Sequence, residues 1–555
     1  MTKKRGTSHE DHGHRLRRRP HRHCHFRRHR DAGGLFHRYQ QPPAGGGGPG
    51  DRRPHPPARG RGAGAGLSQE HGRHPGAPGG EGRRLRRDLE GADGPAADPL
   101  GRAAHHHRRP QHPVQQRTEC QKAEENRGCR GGGPDAGGVS DPEAAGGGEM
   151  NVLIIGGGAS GMAAALTAAR QGHQVVLAER QARVGRKLLS TGNGRCNLTN
   201  EYALPDRYHG EEPDFCRFAL EDPELSAAGT LDFFRQLGLV TVTEPGGRVY
   251  PLSNAASSVL DVLRFALEQQ ENIQVRTGCV IRQLKHRDGQ FQARTEEGDV
   301  IMAGRCILAA GGAAGGKLGG GMDGYQLARQ LGHHRTVLYP SLVQVCTDPT
   351  YPRGLKGVKA QASLRVLRGG DVLAAGRGEL LFTEYGVSGP AVFDLSRQAA
   401  AGGDGLTLQL DFLPGWSRQE VMAWLERQRQ VLSRQEAGAL LTGGVHPRLG
   451  RMLCKAAGIS GGQPVSELTD RQLGALCRQV REFTLPVTGT CGFDQAQVTA
   501  GGLRTGEFDP RTMESRLVPG FYACGEVLDI DGDCGGFNLQ WAWASGRLAG
   551  RLLHI

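Results

Sequence analysis

From Met150 the chain reads MNVLIIGGGASGMAAALTAARQGHQVVLAER: an apolar strand, a glycine turn, a small-residue helix, a second strand and a terminal acid. Gly156, Gly158 and Gly161 form G-x-G-x-x-G, in which the first glycine turns the chain, the second admits a pyrophosphate and the third lets helix and strand pack closely. VLIIG is the continuous apolar run of a strand buried on both faces, and Glu179 falls 18 residues beyond the last glycine, where an acid hydrogen-bonds a ribose diol. The helix opening over residues 158–161 aims unpaired N–H groups and a positive dipole end at phosphates. An acid at position 179 suits an adenosine without a 2′-phosphate, hence FAD or NAD. Two bland readings compete: a glycine-rich helix start in an ordinary α/β protein, and a membrane span, since residues 151–169 carry no charge. The dominance of Ala and Gly there fits a tight Rossmann turn better than lipid.

The 149 residues before this point have another character, with 28 Lys and Arg against 17 Asp and Glu, and 15 of the 22 histidines. They therefore supply most of the net charge of +13, and the basic balance says little about the rest of the chain. Only 12 of them are Ile, Leu, Val, Phe, Met, Trp or Tyr, too few to offset the backbone entropy of folding. Residues 1–149 are expected to be a disordered basic extension. A polyanion-binding tail competes with an upstream or out-of-frame start, and Arg outnumbering Lys 25 to 3 favours the latter. His105 to His107 lack regular ligand spacing, so no metal site is expected. RLRRRP near Arg17 is followed by no apolar run and is no export signal. With no C-x-x-C pair among 13 cysteines, a reduced cytoplasmic setting is expected.

Beyond Met150 the pattern predicts an α/β protein with a discontinuous Rossmann-like cofactor domain. Residues 150–336 form its first part, with an antiparallel excursion before the buried strand that ends at CILAAGG. Alternating segments over 337–414 predict a small β domain, the spacing turns helical over 415–485, and the chain returns to strands at 486–497. Residues 498–555 return to the cofactor domain and again read strand, glycine loop, helix. Gly525 and Glu526 end that strand, and Gly535 and Gly536 precede a helix beginning near Asn538. N–H groups at such a helix start stabilise negative charge at N1 and O2 of a reduced flavin. A glycine-rich hairpin merely closing the domain is the alternative.

The strings GRKLLSTGNGRCNLTN at 185–200, GELLFTEYGVSGPAVFDLS at 378–396, and VTAGG with TMESRLVPGFYACGEVLDIDGDCGGFNLQWAWASG within 498–546 carry a resemblance. Through them the chain from Met150 to Ile555 resembles the BaiN/YhiN-like FAD-binding flavoproteins, also called the aminoacetone oxidase family. The resemblance implies a discontinuous FAD domain with barrel-like and helical insertions. It also implies that Gly156, Gly158, Ser160, Gly161 and Glu179 hold the adenosine diphosphate half of FAD. Lys187 and the loop of Thr191, Gly192, Asn193, Gly194 and Asn197 would approach the pyrophosphate or flavin, and the Val280 backbone would meet adenine. Gly525, Glu526, Asp529, Gly535, Gly536, Phe537 and Asn538 would line the ribityl chain and ring. Arg180, beside the acid, and Gly311, opening the loop after the buried strand, complete the cofactor candidates. In that loop GGAAGGKLGGGMDGY replaces the hydroxyl residues of many relatives, which removes any side-chain hydroxyl role there.

Residues 311–317 also fit G-x-x-x-x-G-K, but Leu318 stands where a Walker A loop places Ser or Thr on magnesium. The expected activity is that of an FAD-dependent oxidoreductase, with NAD(P)H as transient reductant and hydride transfer to a polarised C=C bond. The resemblance offers as candidate substrates uridine in 23S ribosomal RNA, an enone or bile-acid-type molecule, or a small aminoketone oxidised with oxygen. An RNA-binding flavoprotein without turnover is the competing class, with Arg448, Arg451, Lys455, Arg471, Arg478 and Arg481 as a docking face; solvated helix positions explain such arginines equally simply. Acid–base candidates are Cys196, against a packing role; Tyr385 and Ser388, against turn chemistry; and His446, against helix capping. The sequence leaves the catalytic residue unassigned and points to no membrane.

Overall fold

The computed structural model describes residues 150–554. The expectations for the N-terminal arm, its disorder, its histidines and its origin, lie outside the described residues.

Strand β1 (Asn151–Ile155) passes through the glycine turn into helix α1 (Ala159–Arg170) and strand β2 (Gln174–Glu179). β3 (Ile273–Thr277) and β4 (Arg305–Leu308) follow on either side of a three-stranded antiparallel meander, Ile281–Arg287, Gln290–Thr295 and Val300–Ala303. A last strand from the C-terminal part, Phe521–Ala523, completes a sheet of order Phe521–Ala523, β4, β1, β2, β3, parallel throughout. β1 is central, so its apolar run is buried on both faces as parallel strands require.

Between β4 and the last strand the chain builds a closed antiparallel barrel. Its strands are β5 (Val345–Thr347), β6 (Lys359–Arg368), β7 (Asp371–Phe382), β8 (Gly386–Ser388), β9 (Leu406–Asp411) and β10 (Phe483–Thr490), in the order β5-β8-β7-β6-β9-β10. Ala362, Leu364 and Val366 of β6 and Leu406, Leu408 and Leu410 of β9 point inward, the period of two that a half-buried strand needs. Helix α2 (Pro390–Ala401) joins β8 to β9. Helices α3 (Arg418–Val431), α4 (Pro447–Ala456) and α5 (Asp470–Arg481) lie between β9 and β10. Capping boxes start two of them, Ser417 with Glu420 and Thr469 with Gln472. β10 begins at Phe483, inside the stretch expected to stay helical to 485, because α5 ends at Arg481 and Phe483 and Leu485 already alternate into the interior.

The strand Phe521–Ala523, now β11, leads back to α6 (Phe537–Gly550), which lies along α1. A Cβ on Gly546 would stand 2.3 Å from the Ser160 carbonyl oxygen, and one on Gly550 2.6 Å from that of Ala164. Only glycine permits this approach. Trp541 and Trp543 of α6 are fully buried, their ring N–H groups donating to the carbonyls of Gly525 (3.2 Å) and Leu198 (2.9 Å). Among the described residues no helix is long and apolar enough to cross a membrane.

Gly546→Ala is therefore expected to force α1 and α6 apart and destabilise the protein by about 1–3 kcal/mol. The check is the thermal midpoint with FAD bound; an unchanged midpoint would show the contact to be compliant.

Candidate cofactor and active site

A cleft of about 670 Å³ opens at the carboxyl ends of β4, β1 and β2, where open α/β sheets bind ligands. Each fingerprint glycine meets a different demand there. Gly156 has φ +112°, and its Cβ would lie 2.4 Å from the Ala309 carbonyl oxygen; a Cβ on Gly161 would lie 1.8 Å from the Gly156 carbonyl oxygen. At Gly158, which lines the cleft, a Cβ would meet no protein atom within 4 Å. The space there is open to a ligand. Glu179 is buried and accepts the N–H groups of Gly157 and Gln181, each at 2.7 Å, one on either carboxylate oxygen. Two acceptor sites thus fix the carboxylate and its other lone pairs remain for a diol.

Arg180 lines the cleft but turns to Asp323 and to the carbonyls of Gly319 and Gly320, pinning the glycine loop that Gly311 opens. Lys317 of the Walker-like string does not line the cleft. Lys187 donates to Glu526 at 2.8 Å, and Glu526 accepts the Thr499 N–H at 3.0 Å, so three sequence-distant segments meet. Val280, Ser160, Thr191, Gly192, Asn193 and Asn197 line the same cleft. Gly192, Asn193 and Cys196 hold φ of 56°, 56° and 60°, left-handed conformations that two non-glycine residues adopt only under constraint. The Asn197 Oδ1 is buried without a hydrogen-bond partner. An orphaned acceptor, an open Cβ-free turn and a helix start at Gly536 are what a bound dinucleotide would complete; the residues present fit FAD.

At the other end Gly535, Gly536 and Asn538 line the cleft. Gly536 caps α6 with φ +101°, and its Cβ would collide with the Thr199 carbonyl at 2.5 Å. Asn538 spans the loop through the Gly532 N–H (2.8 Å) and carbonyl (2.7 Å). Five of the cofactor candidates do not line the cleft. Gly161 and Gly525 pack against Gly156 and Ser160; Gly194 lies outside the lining; Phe537 sits edge-on to Tyr208; Asp529 is buried and accepts the Glu211 N–H. None of the four acid–base candidates, Cys196, Tyr385, Ser388 and His446, lines the cleft. Cys196 is fully buried, which pushes its thiol up to about 12; Tyr385 is part-exposed in the barrel turn before β8; and the His446 side chain accepts the Arg448 N–H, capping α4. Of the insertion arginines, Arg448 binds the Gly354 and Lys356 carbonyls and Arg481 pairs with Asp411.

Local sequence gave no signal for a polar cluster beside the loop that begins α6. Asp533, which lines the cleft, accepts from His209 at 2.9 Å and from Arg207 at 3.2 Å. The Asp533 hydrogen bond holds His209 above its ordinary value despite partial burial. Burial pushes Asp531 up to about 6, opposed by Arg397 at 3.2 Å, and raises Asp394, whose carboxylate accepts the Cys534 N–H at 2.7 Å. Elsewhere Ser515, His333 and Glu507 form a hydrogen-bonded chain of 3.0 and 2.9 Å. It resembles a hydrolytic triad, but Ser515 and His333 are buried and the Ser515 oxygen already accepts two backbone N–H groups. It is a structural tie. Among the described residues no cluster of three or more His, Cys, Asp or Glu is placed to hold a metal.

A dinucleotide cleft at parallel strand ends, closed by a returning C-terminal strand and helix, marks an FAD-dependent oxidoreductase with a Rossmann-type domain. The chain belongs to the HI0933-like family, whose Rossmann-domain model matches residues 150–552. It is 42% identical over 398 residues to the 3-dehydro-bile acid delta(4,6)-reductase of Clostridium scindens, covering 71% of this chain and 96% of that protein. It is 30% identical over 389 residues to the ribosomal RNA dihydrouridine synthase of Escherichia coli, covering 70% and 94%. Among solved structures it is similar to a flavocytochrome c3 fumarate reductase in its open conformation, at 17% identity and TM-score 0.38, over 74% of this chain and 79% of that one.

The His209–Asp533 pairing is favoured below the ordinary imidazole value of about 6.5 and is lost as pH rises through the raised one. An NMR titration of His209 is expected to show the elevated midpoint, and Asp533→Asn to return it toward the ordinary value. An unmoved midpoint in that variant would remove Asp533 as the cause.

Proposed function

We propose that the protein reduces a ring C=C bond conjugated to a carbonyl, in a 3-oxo steroid or bile-acid-type enone, with FAD resident, NAD(P)H as transient reductant and the cytoplasm as its setting. The observation that carries this reading is a group of apolar residues that the inserted part of the chain adds to the cleft wall, beside the polar Asp494, Gln495 and Gln497. Leu342, Pro390 and Phe393 face the cleft, and the Asp394–Cys534 hydrogen bond fixes the α2 residues beside the loop that starts α6. An apolar wall next to a helix start suits a flat hydrocarbon ring with one polar edge. The names of the two relatives support the chemistry, since each describes reduction of an unsaturated ring, and the higher identity is to the bile-acid enzyme.

In this reading the adenosine diphosphate half of FAD lies over Gly156, Gly158 and Ser160, with Glu179 on the ribose and Val280 near adenine. Lys187 and the 191–197 loop hold the middle of the cofactor, and Gly535, Gly536 and Asn538 receive its ring end. Bound FAD supplies hydride chemistry. The N–H groups opening α6 stabilise negative charge there, and the apolar wall excludes water. A ribosomal uridine is the competing substrate; it requires a base turned out of its stack, and Arg451, Lys455, Arg471 and Arg478, exposed on α4 and α5, are the surface for it.

The test is anaerobic reduction of the FAD enzyme followed by separate challenge with a 3-oxo-4-ene steroid, ribosomal RNA and an aminoketone. The steroid is expected to restore the oxidised flavin absorbance and emerge saturated. Discharge by RNA alone, with dihydrouridine formed, would transfer the assignment to RNA.

A further inference from the structure

We infer that Arg248 binds the substrate's carbonyl oxygen and so makes the cleft selective for rings whose double bond is conjugated to that oxygen; this rests on the reductase reading above. Arg248 begins the strand Arg248–Pro251 and lines the cleft, half-buried. Its cross-strand partner is Glu244, the residue that would ordinarily neutralise it. The Glu244 carboxylate is taken instead by Arg195, which also stacks over Tyr250 at 4.0 Å. Among the described residues the Arg248 guanidinium makes no hydrogen bond and no direct ion pair; the one carboxylate whose pKa its charge lowers, Asp394 of α2, acts at longer range.

The other cationic side chains of the cleft differ. Arg180 is held by Asp323, Lys187 by Glu526, Arg186 by Gln181 and Arg195 by Glu244, while Arg183 is an exposed surface arginine. A part-buried guanidinium with all its donors unpaired costs free energy unless something completes it. Its position says what. A Cβ on Gly535 would come 3.5 Å from the Arg248 Nε, and Asn200 donates to the Gly535 carbonyl at 2.9 Å, fixing that turn. The donors therefore stand beside the loop that starts α6, within reach of the charge of Asp394 on α2.

A carbonyl oxygen hydrogen-bonded there loses electron density to the guanidinium, which polarises the conjugated C=C bond. As hydride arrives at the β-carbon, the π electrons move on to that oxygen and Arg248 holds the resulting oxyanion. Return of those electrons to the α-carbon, with one proton from solvent, completes the saturated ketone. The net reaction consumes one NAD(P)H and one proton. Preorganised donors of this kind commonly contribute about 100- to 1,000-fold in rate.

The experiment compares holoenzyme with Arg248→Ala and Arg248→Lys in equilibrium binding, read from perturbation of the flavin spectrum. The probes are a 3-oxo-4-ene steroid and the same ring system lacking the 3-oxo group. The wild-type enzyme should prefer the ketone, Arg248→Ala should lose about 10- to 100-fold for the ketone alone, and Arg248→Lys should recover part of it, with FAD content and resting spectrum unchanged. Equal loss for both probes, persistence of the preference, or release of FAD in Arg248→Ala would overturn the inference. Failure of the wild-type enzyme to bind either steroid would overturn the enone reading, and the inference with it.

Discussion

The close packing of α1 on α6 is the contact on which the rest of the molecule depends. β11 contributes only three residues to the central sheet, too little hydrogen bonding to anchor the C-terminal part alone. Gly546 and Gly550 let α6 settle against the backbone of Ser160 and Ala164, and the two buried tryptophans lock it from the other side. Because α1 starts at the glycine turn and α6 starts at Gly536, the same contact sets both helix starts at one cleft. The two positive helix ends are then available to one elongated, negatively charged cofactor.

That arrangement divides the work within the chain. The parallel sheet and its glycines form one end of the cleft, and the Lys187–Glu526 pair ties the first segment to the last. The segment leading into the barrel brings Leu342 to the cleft, and α2 brings Pro390 and Phe393, so part of the cleft wall comes from between the two halves of the cofactor domain.

The nucleotide half was legible because its demands are local. Gly156, Gly158 and Gly161 answer steric constraints set by immediate neighbours, and Glu179 ends a strand at a fixed distance from them, so spacing alone encodes the function. The strands and helices of the inserted part were legible as periods of two and of 3.6 residues per turn, although closure of the strands into a barrel and their order were not. The ring end was only partly readable. The side chains of Phe537 and Asp529 are buried outside the cleft lining, since a motif gives position along the chain and not side-chain direction. Cys196, Tyr385 and His446 drew attention as reactive residue types and proved to lie in the core, the barrel turn and a helix cap. Arg248 and the His209–Asp533 pair had no signal, because what distinguishes them is the partner each has or lacks across strands that meet only in the fold.

The central claim is that the glycine turn at 156–161 cradles the phosphates of FAD. Gly158→Ala tests it most directly, since the added methyl meets no protein atom within 4 Å and the backbone there is extended, with φ −79°. Stability of the apoprotein is expected to change by no more than about 1 kcal/mol, the scale of an altered helix cap, while the FAD dissociation constant rises about tenfold or more through collision with the ligand. Unchanged FAD affinity in a folded Gly158→Ala protein would contradict the account, because the phosphates would then lie somewhere other than over this turn.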